Sequence, residues 1–223
     1  MDNHLHTIFS DGEDTPRDMV LTAIELGYKQ ITFTDHVRRN SDWLERYISE
    51  ISNLKDEFRN RIDINCGVEA KIINLNGDID FDNHYRKKID VVLAAMHRIP
   101  VGDEQYINST EIANSNKEEI FNCIEKATFN ALKNSSVDIL AHPFQFGIMK
   151  QYVLFFSTEY CNRLRCHAIQ YSKYIEFNYS KYNKCVQKDY WKYPSFKVWV
   201  GSDSHSIIDL KKNTLLLKNA DFL

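Results

Sequence analysis

The chain is predicted to fold as an α/β protein whose parallel sheet closes, or nearly closes, into a barrel. Strand and helix signals alternate five or six times, the signature of βα units around a parallel sheet. The stretch 89–96 is almost wholly apolar, as a strand covered on both faces should be. Short polar clusters rich in histidine and carboxylate repeatedly stand where an apolar run ends. That favours a barrel with one functional mouth over an open doubly wound sheet.

Taken in order, the chain opens on His4-Leu5-His6 and then on a helix start: Thr15 as N-cap, Pro16 at the first helical position and Asp18 three residues after the cap. Met19, Val20, Ala23, Ile24 and Tyr28 fall close to one face, and Gly27 is placed to end that helix. Residues 30–34 read as a short strand delivering Asp35-His36. Between residues 41 and 61, Leu44, Tyr47, Ile48, Ile51, Leu54 and Phe58 make a helical stripe amid acids and bases, an ordinary amphipathic helix lying on a sheet. Residues 62–68 form the next strand, ending at Glu69, and 89–96 ends at His97. Residues 117–134 carry Ile120, Cys123, Ile124, Ala127 and Ala131 at helical spacing, and 137–141 leads into His142. A helix covers part of 152–171, residues 174–178 are strand-like, and 196–200 runs into Gly201-Ser202-Asp203-Ser204-His205.

At 223 residues, with seven Gly, four Pro and no repeat, linker or block of like charge, a single domain over residues 1–223 is expected. A formal charge of -3 argues against a dominant nucleic-acid surface, which needs a concentrated Lys/Arg face. No apolar run approaches a membrane span, and no basic segment followed by an apolar stretch marks a secretory signal. Five cysteines without a Cys-x-x-Cys pair fit reduced thiols in a cytoplasmic protein. Cys161 and Cys166 with His167 match no common zinc spacing.

Six of the eight histidines, with four carboxylates, lie in the clusters His4-Leu5-His6, Ser10-Asp11-Gly12, Thr34-Asp35-His36, Gly67-Val68-Glu69, Met96-His97, Ala141-His142-Pro143 and Gly201-Ser202-Asp203-Ser204-His205. Neutral imidazole and carboxylate are the ligands that borderline and hard divalent ions share, so the pattern reads as a metal site gathered at strand ends. Dinucleotide-binding and P-loop glycine motifs are absent. Ser202 and Ser204 lie beside Asp203 and His205, but the nucleophile elbow of a serine hydrolase is missing.

In this order the clusters resemble the polymerase and histidinol phosphatase (PHP) family of metal-dependent phosphoesterases, over residues 4–205. The resemblance implies a distorted (β/α)7 barrel with up to three divalent ions, zinc, manganese or iron, at the C-terminal strand ends. Carried over by position, it implies a first ion on His4, His6, Glu69 and Asp203, and a second on Glu69, His97 and His142, with Glu69 bridging. A third falls to Asp11, His36 and His205. Glu69, His97, Asp203 and His205 become the catalytic set. Only three residues precede His4, so the first strand is minimal. The strand 174–178 also resembles a family strand whose acid and amide, here Glu176 and Asn178, support or line the site. Asp35 is expected to orient an imidazole or to brace the strand end.

Three dications against three carboxylates leave a net charge of roughly +3, which attracts a phosphate dianion to an otherwise acidic protein. Two such ions about 3.5–4 Å apart would lower the pKa of water toward neutrality and so supply a hydroxide nucleophile for the phosphorus. Arg98, directly after His97, and Arg38, two residues past His36, are the candidates to clasp the phosphate, with Arg39 and Lys71 behind them. Tyr106 and the polar stretch 102–116 are the place to look for specificity. The expected activity is thus hydrolysis of a small-molecule phosphomonoester, as in histidinol phosphatases. The alternatives are a nuclease or polymerase-associated proofreading module, a protein-tyrosine phosphatase of the same family, and a structural metal domain. Metal identity, oligomeric state and physiological substrate stay open.

Overall fold

The computed structural model describes residues 1–107, 116–144, 156–180 and 188–219. In chain order the elements are β1 (Asp2–Leu5), α1 (Pro16–Glu25), β2 (Gln30–Phe33), β3 (His36–Val37), α2 (Leu44–Phe58), β4 (Asp63–Lys71), a 3-10 helix (Asn83–Lys88) and β5 (Val91–Ala95). They continue with α3 (Lys117–Lys133), β6 (Ile139–Leu140), α4 (Thr158–Gln170), β7 (Tyr174–Asn178), α5 (Lys188–Trp191), β8 (Lys197–Gly201) and α6 (Ile207–Asn219).

All strand pairs are parallel, in the order β1-β2-β4-β5-β6-β7-β8, with the short β3 pairing β4 off this path. The two ends of the sheet then meet. Leu5 bridges Ser204, His6 N donates to Ser204 O at 2.9 Å, and Trp199 Nε1 donates to Asn3 O at 2.9 Å. Gly201 makes this closure sterically feasible, because a Cβ there would stand 2.5 Å from His4 Cβ. The expected distorted seven-strand barrel is therefore observed, its distortion residing in the β1 register shift and in the extra β3.

Local chemistry explains most boundaries. Thr15 Oγ1 accepts from Asp18 N at 3.1 Å, Pro16 occupies the first turn, and Gly27 takes φ +85° just past α1. Leu44, Tyr47, Ile51, Leu54 and Phe58 are the buried stripe of α2. In β5, Val92 and Ala94 join the main core while Val91, Leu93 and Ala95 join a second cluster, so this strand is indeed covered on both faces.

Three boundaries differ from the sequence expectation. The strand after α1 stops at Phe33, and pairing resumes at His36 against Glu69. The side chain of the intervening Asp35 is spent on Thr7 and Ser10. β4 runs on to Lys71, because β3 on one side and β5 on the other continue to pair it, so Glu69 lies within the strand rather than after it. β6 shrinks to two residues, cut short where His142 adopts φ +28° and Pro143 offers no N–H. Among the described residues no helix is long and apolar enough to cross a membrane.

Candidate metal centre at the barrel mouth

The scattered clusters converge. His4 in β1 and His6 just past its end, two residues apart, fall on one face of the extended chain, and both rings are fully buried with Nε2 atoms 3.1 Å apart. His4 Nε2 lies 3.6 Å from Glu69 Oε2 and 3.5 Å from Asp203 Oδ1. His6 Nε2 lies 3.7 Å and 3.1 Å from the same two oxygens. Four donors held about 2.1 Å from a tetrahedral ion stand about 3.4 Å from one another. The five measured separations bracket that value, so the residues present fit a divalent cation.

Glu69 faces two ways. Its Oε1 is 2.8 Å from His142 Nε2 and 3.3 Å from His97 Nε2, while Oε2 faces His4, His6 and His36. A third group lies beyond His6: Asp11 Oδ2 is 3.4 Å from His36 Nε2, and Asp11 Oδ1 is 3.5 Å from His205 Nε2 and 3.8 Å from His6 Nδ1. All nine residues singled out from the sequence are therefore brought together. Donor atoms within 4.8 Å of one another group as His4, His6 and Glu69; His36, Glu69 and His97; and His6, Asp11, His36 and His205. His6 thus borders two of these groups, one through each ring nitrogen.

Buried polar atoms here lack ordinary partners. His6 Nδ1 and Glu69 Oε2 accept or donate no hydrogen bond. Neither does His36 Nδ1, which approaches Glu69 Oε2 at 2.8 Å without the alignment of one. Leaving such groups unpaired in a protein interior is costly, and a cation is the partner that satisfies several lone pairs together.

The electrostatics agree. Burial works to raise the Glu69 carboxyl, yet His97 and His4, with His142 and His36, hold it well below the usual carboxylate range. Asp203 is likewise lowered against its burial by His4, by a hydrogen bond with His6 and by His142. Burial pushes His6 down to about 4, whereas His4, opposed by burial but facing Glu176, Glu69 and Asp203, is raised well above an ordinary imidazole. Burial opposes His36 and His142 too, yet Glu69 leaves both raised. Proton and cation compete for these lone pairs.

Glu176, set aside as a supporting residue from the sequence, is the clamp behind the centre. Its Oε1 lies 2.8 Å from His4 Nδ1 and its Oε2 accepts the His142 backbone N–H at 2.7 Å. With Nδ1–H directed at Glu176, His4 presents Nε2 as its lone pair, and His142 is held in its left-handed conformation. Asp203 shares that backbone region, at φ +58°. Asp35 takes the bracing role: it accepts from Thr7 N (2.8 Å), Thr7 Oγ1 (2.9 Å) and Ser10 Oγ (2.7 Å), shaping the loop that carries Asp11. Asp2 carried no recognisable signal. It is buried, accepts from Tyr179 Oη at 2.6 Å and from Ser202 N at 2.9 Å, and so holds the turn before Asp203.

Beside His36, Glu69 and His97 opens a cavity of about 410 Å³ that Arg38, Lys71, Asp80 and Arg98 also line. Arg39 is not among the lining residues and pairs with Glu104 at 3.6 Å. Of the stretch 102–116 expected to set specificity, Tyr106 is not among the lining residues but lies under Lys71, which is, and residues 108–115 lie outside the described ones. Cys161 is buried with Sγ directed at Phe156 O and Cys166 is exposed; with His167 they form no metal cluster among the described residues.

The family model for the PHP domain matches residues 2–180, a range that stops short of Asp203 and His205. A protein named "Probable phosphatase" from Shewanella loihica is 33% identical over 144 residues, 64% of this chain and 52% of that protein. "DNA polymerase/3'-5' exonuclease PolX" from Bacillus subtilis is 31% identical over 149 residues, 64% of this chain and 23% of that protein. The chain thus spans about half the length of the first relative and under a quarter of the second. The crystal structure of histidinol phosphate phosphatase from Lactococcus lactis, complexed with Zn, L-histidinol and phosphate, shares the fold. Its TM-score is 0.63 at 23% identity, covering 100% of this chain and 94% of that one.

Proposed function

The chain belongs to the PHP domain family, and from that premise we propose that it is a metal-dependent phosphoesterase hydrolysing a small-molecule phosphomonoester. One observation carries the reading: imidazoles and carboxylates from both ends of the chain meet with donor atoms 3.1–3.7 Å apart, beside a cavity walled by arginine and lysine. We assign His4, His6, Glu69 and Asp203 to one ion, Glu69, His97 and His142 to a second, and Asp11, His36 and His205 to a third. The opposed directions of the two Glu69 oxygens support its bridging role.

Divalent ions held there, zinc, manganese or iron, supply Lewis acidity: they polarise the phosphoryl oxygens and make water a nucleophile near neutral pH. The chain's own residues do the rest. Glu176 fixes the His4 tautomer and the His142 backbone, so the donors are oriented before substrate arrives. Glu69, His97, Asp203 and His205 form the catalytic set, with His97 and His205 on the open side, where their side chains are 35% and 30% exposed. Arg38 and Arg98 line the adjoining cavity and bind the substrate through paired N–H donors. The four free cysteines among the described residues fit a reducing cytoplasmic setting.

The test is chelated protein re-supplied with Mn, Zn or Fe and assayed against histidinol phosphate, sugar phosphates, nucleotide mono- and bisphosphates and phosphotyrosine. Release of phosphate from at least one is expected; none under any condition refutes the proposal. The PolX relative supports a second reading, exonuclease action. Single-strand DNA degradation that falls steeply with salt, without monoester hydrolysis, would reverse the order.

A further inference from the structure

The cavity wall carries more free positive charge than one phosphate requires. Arg38, Lys71 and Arg98 all line it. Among the described residues none of the three has a carboxylate within salt-bridge distance. Some cations elsewhere on the surface are paired, among them Arg17 with Glu57, Lys55 with Asp90, Arg86 with Asp138, Lys88 with Glu45 and Arg163 with Glu125; what distinguishes these three is that they gather at one cavity. Of the two acids lining the same cavity, Glu69 belongs to the donor cluster and Asp80 Oδ1 accepts from Arg39 N at 3.1 Å. Unpaired like charges repel, so holding three around one cavity stabilises it only when anions enter.

Two of these cations are set by one aromatic ring. Lys71 Nζ lies over Tyr106, 4.8 Å from the ring centroid, and Arg98 Cζ approaches the same ring at 6.0 Å. Tyr106 is itself held by a small hairpin: it bridges Pro100, Ile107 N donates to Ile99 O at 3.1 Å, and Val101 N donates to Gln105 O at 2.9 Å. Lys71 follows Glu69 by two residues in β4, on the same face of the strand and about 7 Å farther along it. A phosphate held beside Glu69 therefore has Lys71 one short molecular span away.

We infer that Lys71 and Arg98, positioned by Tyr106, bind a second anionic group on the substrate. Resting on the phosphoesterase reading, this narrows the substrate class to phosphomonoesters that also carry a carboxylate or a second phosphate, with Arg38 left for the phosphate that is cleaved. A tail bearing an ammonium group is disfavoured by the same charges.

Non-cleavable phosphonates test the subsite apart from turnover. Calorimetric affinities of the manganese-supplied protein are measured for n-butylphosphonate, 4-phosphonobutyrate and propane-1,3-diphosphonate. At least one of the latter two is expected to bind at least tenfold tighter than n-butylphosphonate, and the stronger of the pair tells carboxylate from phosphate. Lys71→Met is expected to bring that preference within twofold. Arg98→Gln, at an exposed position, should cut it at least threefold. Tyr106→Leu should weaken it, and Tyr106→Phe, which keeps the ring, should retain it. Equal affinities, no binding of any probe, or a preference that survives both Lys71→Met and Arg98→Gln overturns the inference. Preference without phosphate release from any ester would instead sink the phosphatase reading and leave the anion subsite standing.

Discussion

Replacing Glu176 by glutamine tests the idea that this residue holds the candidate metal centre from behind. The carboxylate is fully buried and uses both oxygens, one 2.8 Å from His4 Nδ1 and the other accepting the His142 backbone N–H at 2.7 Å. An amide has one acceptor. If its oxygen stays with His4, its NH2 meets the His142 N–H donor to donor; if it turns, the His4 Nδ1–H is stranded instead. Either orientation leaves a buried donor unsatisfied, costing about 1–3 kcal/mol of folding stability. The His4 lone pair also loses the carboxylate that makes it a stronger donor, and losses of this kind lower metal affinity by about 10–100-fold. Zinc affinity measured by competition with a chromophoric chelator, alongside urea unfolding of the zinc-free protein, separates the two effects. Tyr179→Phe is the control: it removes a hydrogen bond to buried Asp2, away from the His4 ring, and should lower stability with zinc affinity unchanged within about threefold. Glu176→Gln with wild-type zinc affinity would refute the clamp.

Other consequences follow from the same geometry. His97→Ala removes a partly exposed proposed ligand rather than core packing, so phosphate release should fall at least about 100-fold while unfolding free energy changes by less than about 1 kcal/mol; a large drop in melting temperature with turnover intact would mark a structural site. Gly201→Ala places a methyl 2.5 Å from His4 Cβ and 2.9 Å from Glu176 Oε1, so both stability and zinc affinity should drop, and a variant matching wild type in both would show that the closure is slack. Burial raises the Cys66 thiol from 9.0 to about 12. The unfolded thiol loses its proton first, so this contribution is fully present below pH 9 and is lost between pH 9 and about 12, at up to about 1.4 kcal/mol per pH unit. Unfolding free energies at pH 8 and 10 should therefore fall more steeply for wild type than for Cys66→Ala; parallel slopes would contradict it.

Much of this architecture was legible in the chain because it depends on neighbours in sequence. Thr15, Pro16 and Asp18 announce α1, the α2 stripe announces its buried face, and the unbroken apolar run of β5 announces a strand covered on both sides. The histidine and carboxylate clusters likewise named the nine residues that meet at the mouth, since a ligand's chemistry travels with its residue type. Tertiary structure alone decided how they meet. The continuation of β4 through Glu69 to Lys71 arises from pairing with strands on either side. The Glu176 clamp on His4 spans 172 residues, and the approach of Lys71 and Arg98 to Tyr106 needs a hairpin folded back over the strand ends. Such contacts exist only once the barrel has closed at Gly201 against His4, because neither propensity nor periodicity encodes a distance between residues so far apart along the chain.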